Sequence, residues 1–187
     1  ANESGDTCRC NVITISRTMG SGARIIAQKL AEQLGWSLWD KDLLEAIAED
    51  ARVSNKIAES FDEHQQSEFE LFVRSMLGEY DLGGFIYARH LARAIAYVAK
   101  LGNAIILGRG ANILLPQALN IRIDASESLR IRNMMTYENL TKEEAIVKIR
   151  KSDKDRQRFL IHTFGKERVR NSHFDLQIWM DEFTNDD

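Results

Sequence analysis

The stretch of this chain best suited to hold an anion is Ser16-Arg17-Thr18-Met19-Gly20-Ser21-Gly22-Ala23-Arg24. It follows the β-branched run 11–15 and precedes Ile25, Ile26, Leu30 and Leu34, a helical spacing that stops at Gly35. A strand running through a turn into a helix aims unpaired backbone N–H groups, and the positive end of the helix dipole, at whatever lies above the turn. Gly20 and Gly22 let phosphate oxygens approach the backbone with no Cβ in the way. Phosphate binding is the chemistry this predicts.

The loop departs from the standard nucleotide-binding form G-x-x-x-x-G-K-[ST], whose lysine reaches the terminal phosphates and whose hydroxyl meets magnesium. Aligned on Gly20-Ser21-Gly22, the chain has Arg17 at the first glycine, Ala23 at the lysine and Arg24 at the hydroxyl. Arg17 and Arg24 are expected to restore the positive charge, because guanidinium pairs well with phosphate. Neither binds magnesium, so Ser21, Thr18 or Asp40 would have to. A plain strand-to-helix turn with no ligand is the competing reading of the loop.

A second constellation is Gly108-Arg109-Gly110-Ala111-Asn112 after the apolar run 103–107. An arginine between two glycines at a strand end makes an anion clamp, with an ordinary surface turn as the alternative. The third is a basic run. From Lys148 to Arg170 nine basic residues stand against three acidic ones, a net +6 that leaves −9 for the rest of a chain whose formal charge is −3. Within it Asp153 and Arg156 lie three apart on one helical face, where the carboxylate can pair with or steer the guanidinium. The overall negative charge and the lack of an aromatic-studded basic face argue against nucleic acid. His64, His90, His162 and His173 show no metal spacing, and Cys8 and Cys10 read as two ordinary thiols.

The elements that must position these groups alternate. Strands are expected at 11–15, 37–39, 103–107, 119–123 and 174–179, and helices at 25–34, from Leu43, at 55–61, 68–77 and 85–101, and from a Ser126 or Asp124 cap to Met135. The capping box Thr141-Lys142-Glu143-Glu144 opens a further helix. Alternation of this kind predicts an α/β fold with a mostly parallel five-stranded sheet and ligands beyond the carboxyl ends of its strands. At 187 residues, 44% hydrophobic and 28% charged, one domain is expected. No apolar run approaches the roughly 20 residues of a membrane span and the N-terminus shows no signal pattern, so a cytoplasmic protein is expected.

Together the runs 13–34, 39–44, 105–112 and 123–132, with the Asp153/Arg156 spacing, Phe164-Gly165-Lys166 and Phe174-Asp175-Leu176, resemble the cytidylate kinase-like branch of the P-loop nucleoside monophosphate kinases. The resemblance implies a three-layer P-loop fold divided into a P-loop unit at 11–51, a helical acceptor-binding region at 52–102, core at 103–140, a lid at 141–170, and a last strand with its tail at 171–187. It implies ATP and Mg2+ as the donor pair and a nucleoside monophosphate or similar phosphate acceptor. On that analogy Arg17, Gly20, Ser21, Gly22, Ala23 and Arg24 hold the donor phosphates, and Asp40 and Arg109 border the acceptor. Arg24, Arg150 and Arg156 neutralise the transferring group, with Asp153 as their partner. Small nucleotide-like molecules would be its partners. The family shows Gly-Arg-Asp where this chain has Gly108-Arg109-Gly110, the aspartate helping to read the cytosine amino group. It also shows Gly and Glu where this chain has Ala23 and Ile25. A catalytically inactive nucleotide- or phosphate-sensing module is therefore the alternative to an enzyme.

Overall fold

The computed structural model describes residues 11–49, 67, 69–71, 73–75 and 86–183. The helices expected at 55–61 and, apart from a few residues, at 68–77 lie outside the described residues. All five expected strands are present: β1 Val12–Arg17, β2 Ser37–Trp39, β3 Ala104–Leu107, β4 Leu119–Asp124 and β5 Leu176–Trp179. They form one sheet in the order β2-β3-β1-β4-β5. Every pairing is parallel, with Ile15 opposite Leu107 on one side and Ile121 on the other.

Between the strands lie α1 Ala23–Leu34, α2 Lys41–Glu49, α3 Ile86–Leu101, α4 Ala111–Leu114, α5 Glu127–Glu138, α6 Lys142–Phe164 and α7 Lys166–Asn171. The expected boundaries have local causes. Gly35 takes φ 65 at the end of α1. Ser126 Oγ accepts from the Leu129 amide at the start of α5, and Thr141 and Glu144 close a reciprocal capping box at the start of α6. The short α4 replaces what the sequence presented as a bare turn.

Alternation along β1 and β3 builds a core on each face. Ile13, Ile15, Ile105, Leu107, Ile121 and Ile123 pack with Ala23, Ala27 and Ala31 of α1. Val12, Ala104 and Ile106 pack on the other face with α3, α4, Leu44 and Phe164. The buried stripe of α1 is thus its alanines at i, i+4, i+8, which let the helix lie close to the sheet. Ile25 and Leu34, expected on that stripe, are 43% and 44% exposed, because residue 25 falls on the far side and residue 34 at the end.

The arrangement fixes where a ligand can enter. Connections from β1 and β3 depart to opposite faces, which opens a crevice between the carboxyl ends of these adjacent strands. Ser16, Arg17, Gly108 and Arg109 stand at its mouth. Among the described residues no helix is long and apolar enough to cross a membrane.

Candidate phosphate-binding site

The first wall of the crevice is the loop between β1 and α1. Gly22 caps α1 with φ 81 and no side-chain bond, so the first-turn amides face outward with the helix dipole behind them. The loop's carbonyls are held by side chains of α5 and α6, far away in sequence. Arg130 Nε donates to Met19 O at 2.6 Å, Asn133 Nδ2 to Gly20 O at 2.8 Å, and Arg156 Nη1 to Arg17 O. With its carbonyls engaged from behind, the loop is preorganised to present its N–H groups. Ser21, 1% exposed, spends its hydroxyl on Thr18 O at 2.9 Å. Thr18 Oγ1 is buried and has no partner among the described residues.

Arg24 and Asp40 are brought together. Arg24 Nη2 lies 2.9 Å from Asp40 Oδ2, while Asp40 Oδ1 accepts from the amides of Asp42 and Leu43 at the start of α2. The Arg24 side chain remains 66% exposed. A guanidinium held by one carboxylate oxygen still has donors to offer an incoming phosphate.

The second wall is the turn after β3. Gly108, Arg109 and Gly110 all take positive φ, at 86, 55 and 69. Gly108 suits its positive φ, and a Cβ there would have to displace the end of the Arg17 side chain. Gly110 is likewise pinned under Phe164, whose ring occupies the space that a side chain at 110 would need. Arg109 is thereby turned inward. Its guanidinium pairs with Glu45 of α2, lies 4.4 Å over the Phe159 ring of α6, and keeps a buried Nε without a partner among the described residues.

Helix α6 forms the third wall and sorts the basic run by helical face. Lys148, Lys151, Ser152, Asp155, Arg156 and Phe159 recur at three- and four-residue intervals toward the crevice. Arg150 points the other way, 73% exposed and 3.5 Å from Glu127. Asp153 is also turned aside: Arg130 Nη2 holds both its oxygens, at 2.8 and 2.7 Å, so its closest partner is Arg130 and not Arg156. Arg130 and Asn133, which sequence reasoning missed, sit at i, i+3 on α5. That spacing facing the glycine loop was the one signal they offered.

The three walls enclose a cavity of about 440 Å³. Among the described residues, Arg17, Lys41, Arg109, Arg122, Lys148, Lys151 and Arg156 line it against a single carboxylate, Asp155. The cations feel one another. Arg17 is pushed down to about 10, well below the ordinary arginine value, first by burial and then by Arg156, Arg109 and Arg24, with Asp40 opposing. Burial also lowers Arg109, which Asp42 supports and Arg156 opposes. Arg156 is lowered chiefly by burial, and Asp153 only partly offsets this. All three remain charged at neutral pH, so the site holds concentrated positive charge that an anion would relieve.

Known proteins give this geometry a context. No curated protein sequence matches the chain. In solved structures it is similar over 91% of both chains to an uncharacterized protein from Eubacterium ventriosum, at 22% identity and a TM-score of 0.54. Shikimate kinase from Bacteroides thetaiotaomicron is similar at 17% identity and a TM-score of 0.46, over 91% of this chain and 86% of that one. Dephospho-CoA kinase from Campylobacter jejuni follows at 16% and 0.36, over 94% and 89%. The model of the cytidylate kinase-like family matches residues 12–182, nearly the whole chain, in line with its all-parallel sheet and glycine loop. The chain therefore belongs to the cytidylate kinase-like family.

Proposed function

We propose that the protein is a phosphotransferase that moves the γ-phosphoryl group of ATP to a small, phosphate-bearing acceptor. The observation that carries this is the cavity beside the glycine loop, where among the described residues seven cations face one carboxylate. In the reaction an acceptor phosphate oxygen forms a bond to the γ-phosphorus as the bond to the β–γ bridging oxygen breaks. ADP leaves with that oxygen, and the acceptor gains a phosphoryl group. Such transfer asks the protein mainly for alignment and for charge stabilisation.

The residues divide the work by position. The outward amides after Gly22, with Arg24, hold the donor phosphates, and Arg109 holds the acceptor; Arg17, expected among the donor-phosphate residues, has its guanidinium against Gly108 and joins the acceptor side instead. Arg156, bonded to the carbonyl of Arg17, lies where the two meet and supplies charge to the transferring group. Residues 141–170 act as the lid, carrying Arg156 and excluding water. Among the described residues no cluster of three or more His, Cys, Asp or Glu could hold a metal. A magnesium ion arriving with ATP needs only one or two protein ligands; of the candidates, the Ser21 hydroxyl donates to Thr18 O and Asp40 is held by Arg24 and two α2 amides, so Asp40 would have to exchange Arg24 for the ion. The ion would neutralise phosphate charge when bound.

A second reading, a phosphate-sensing module without turnover, is favoured by one observation. The Ser21 hydroxyl is consumed by Thr18 O, and no lysine stands in the loop. Radiolabelled ATP offered with CMP, dCMP, UMP, AMP and sugar bisphosphates separates the two. Label on any acceptor supports the kinase. Saturable nucleotide binding by calorimetry without label transfer supports the sensor.

A further inference from the structure

Resting on the reading of Arg109 as the clamp for an acceptor phosphate, we infer that Glu45 of α2 is the residue that positions it. A free arginine side chain samples many rotamers, and a clamp that its ligand must first order binds that ligand more weakly. Arg109 has little left to order. Its backbone is set by a φ of 55 between Gly108 and Gly110, and the Phe159 ring lies 4.4 Å from the guanidinium carbon and covers one face. Neither contact fixes the rotation of the guanidinium within its own plane. The ion pair with Glu45 does so by taking Nη2. With Nη2 taken and Nε buried, Nη1 is the nitrogen left for a phosphate oxygen.

Glu45 is itself anchored. Its Oε1 also accepts from the Tyr87 hydroxyl of α3 at 3.4 Å, and Lys41 Nζ, one turn earlier on α2, stands 3.7 Å from its Oε2. Donors from α2, α3 and the turn after β3 thus converge on one carboxylate. The helix that carries it is fixed as well, because Asp40 Oδ1 accepts from the Asp42 and Leu43 amides and the fully buried Leu44 sets the rotation of α2 about its axis. The Tyr87 ring also meets Phe159 edge-on at 6.2 Å, so Glu45 and the ring over Arg109 share one support. A carboxylate held this way orients its partner and is not an anion waiting to be displaced.

Removing a negative charge beside a clamp favours an anion by itself, so the test compares variants of equal charge. Calorimetry of the full chain, with inorganic phosphate as the probe, is run on two pairs. The parent and Glu45→Asp carry the same charge, but aspartate is one methylene shorter and draws the carboxylate off Arg109. Glu45→Gln and Glu45→Ala are both neutral, and only glutamine keeps an oxygen for Nη2. In each pair the member that loses the contact is expected to bind phosphate about three- to tenfold more weakly, the cost of having the ligand order a rotamer-rich side chain. Glu45→Gln should bind at least as tightly as the parent. A role confined to packing would lower Tm and leave the affinities within each pair alike. Should Glu45→Ala fail to fold, the milder aspartate pair gives the answer.

Equal affinities within the pairs would overturn the inference. So would a Glu45→Ala protein that binds phosphate more tightly than Glu45→Gln, the mark of a competing anion. Arg109→Ala is measured beside them to separate the inference from its premise. Phosphate affinity lost in Arg109→Ala but equal within the pairs refutes the positioning role alone, and affinity indifferent to Arg109→Ala refutes the clamp on which that role rests.

Discussion

Arg130 Nη2 bridges both carboxylate oxygens of Asp153, at 2.8 and 2.7 Å, while its Nε reaches Met19 O at 2.6 Å. One side chain on α5 thereby couples the back of the glycine loop to α6. With its side chain only 10% exposed, its loss leaves the Met19 carbonyl and the Asp153 carboxylate short of a partner. Arg130→Ala should destabilise the fold by about 1–3 kcal/mol, a fall in Tm of several degrees. ATP affinity should weaken as well, because the loop loses its support. A thermal scan paired with calorimetric titration of ATP reads both; an unchanged Tm would dissolve the coupling.

The two arginines offered by the lid should separate. Arg156 faces the cavity and Arg150 the solvent beside Glu127. Arg156→Ala is expected to lower kcat about 100-fold or more, as removal of a preorganised charge at a transition state does. Arg150→Ala should change kcat by less than about threefold, since exposed pairs contribute little. Steady-state kinetics of the two variants, side by side, decide it.

Arg17 makes a prediction about pH whose sign is set by burial. Its guanidinium is held to about 10 in the folded chain, well below its value when exposed. Between those values the unfolded chain binds the extra proton, so stability rises with pH there, and below about 10 the folded protein bears the full penalty. Arg17→Met should therefore be at least as stable as the parent at pH 7 without phosphate, by on the order of 1 kcal/mol. That advantage should shrink as the pH climbs past 10. Phosphate should raise the Tm of the parent and not of the variant, which thermal scans with and without phosphate will show.

Gly110 bears on base selection. Phe164 fills the space above it and its φ is 69, so an aspartate there must displace the ring and adopt a left-handed backbone. Gly110→Asp should cost about 1–3 kcal/mol through overpacking alone. It should not create a preference for CMP. A stable variant with new CMP selectivity would show that the Phe164 ring yields readily.

Much of this architecture was legible in the residues, for identifiable reasons. β-branched residues mark β1, β3 and β4, and Thr141 with Glu144 marks the start of α6. The placement of Arg17 and Arg109 at strand ends was enough to bring them to one crevice. What could not be read were contacts decided by helix rotation against distant elements. Asp153 and Arg156 share a face by spacing, but α5 lies beside α6 and its Arg130 takes the carboxylate first. Arg150 and Lys151 are adjacent in sequence, and a 100° step per residue sends one to solvent and the other to the cavity. Glu45, which pairs with Arg109 from a different helix, had no local signal at all.

The central claim is that the Arg17, Arg109 and Arg156 cavity receives a phosphate acceptor for a phosphoryl group from ATP. A rapid-quench single-turnover measurement with γ-labelled ATP and the panel's phosphate acceptors, in parent and Arg156→Ala proteins, tests it most directly. The account predicts label on a phosphate-bearing acceptor in the parent and a rate lowered about 100-fold or more in the variant. Folded, ATP-binding protein that labels no acceptor, or a variant that transfers as fast as the parent, would contradict it.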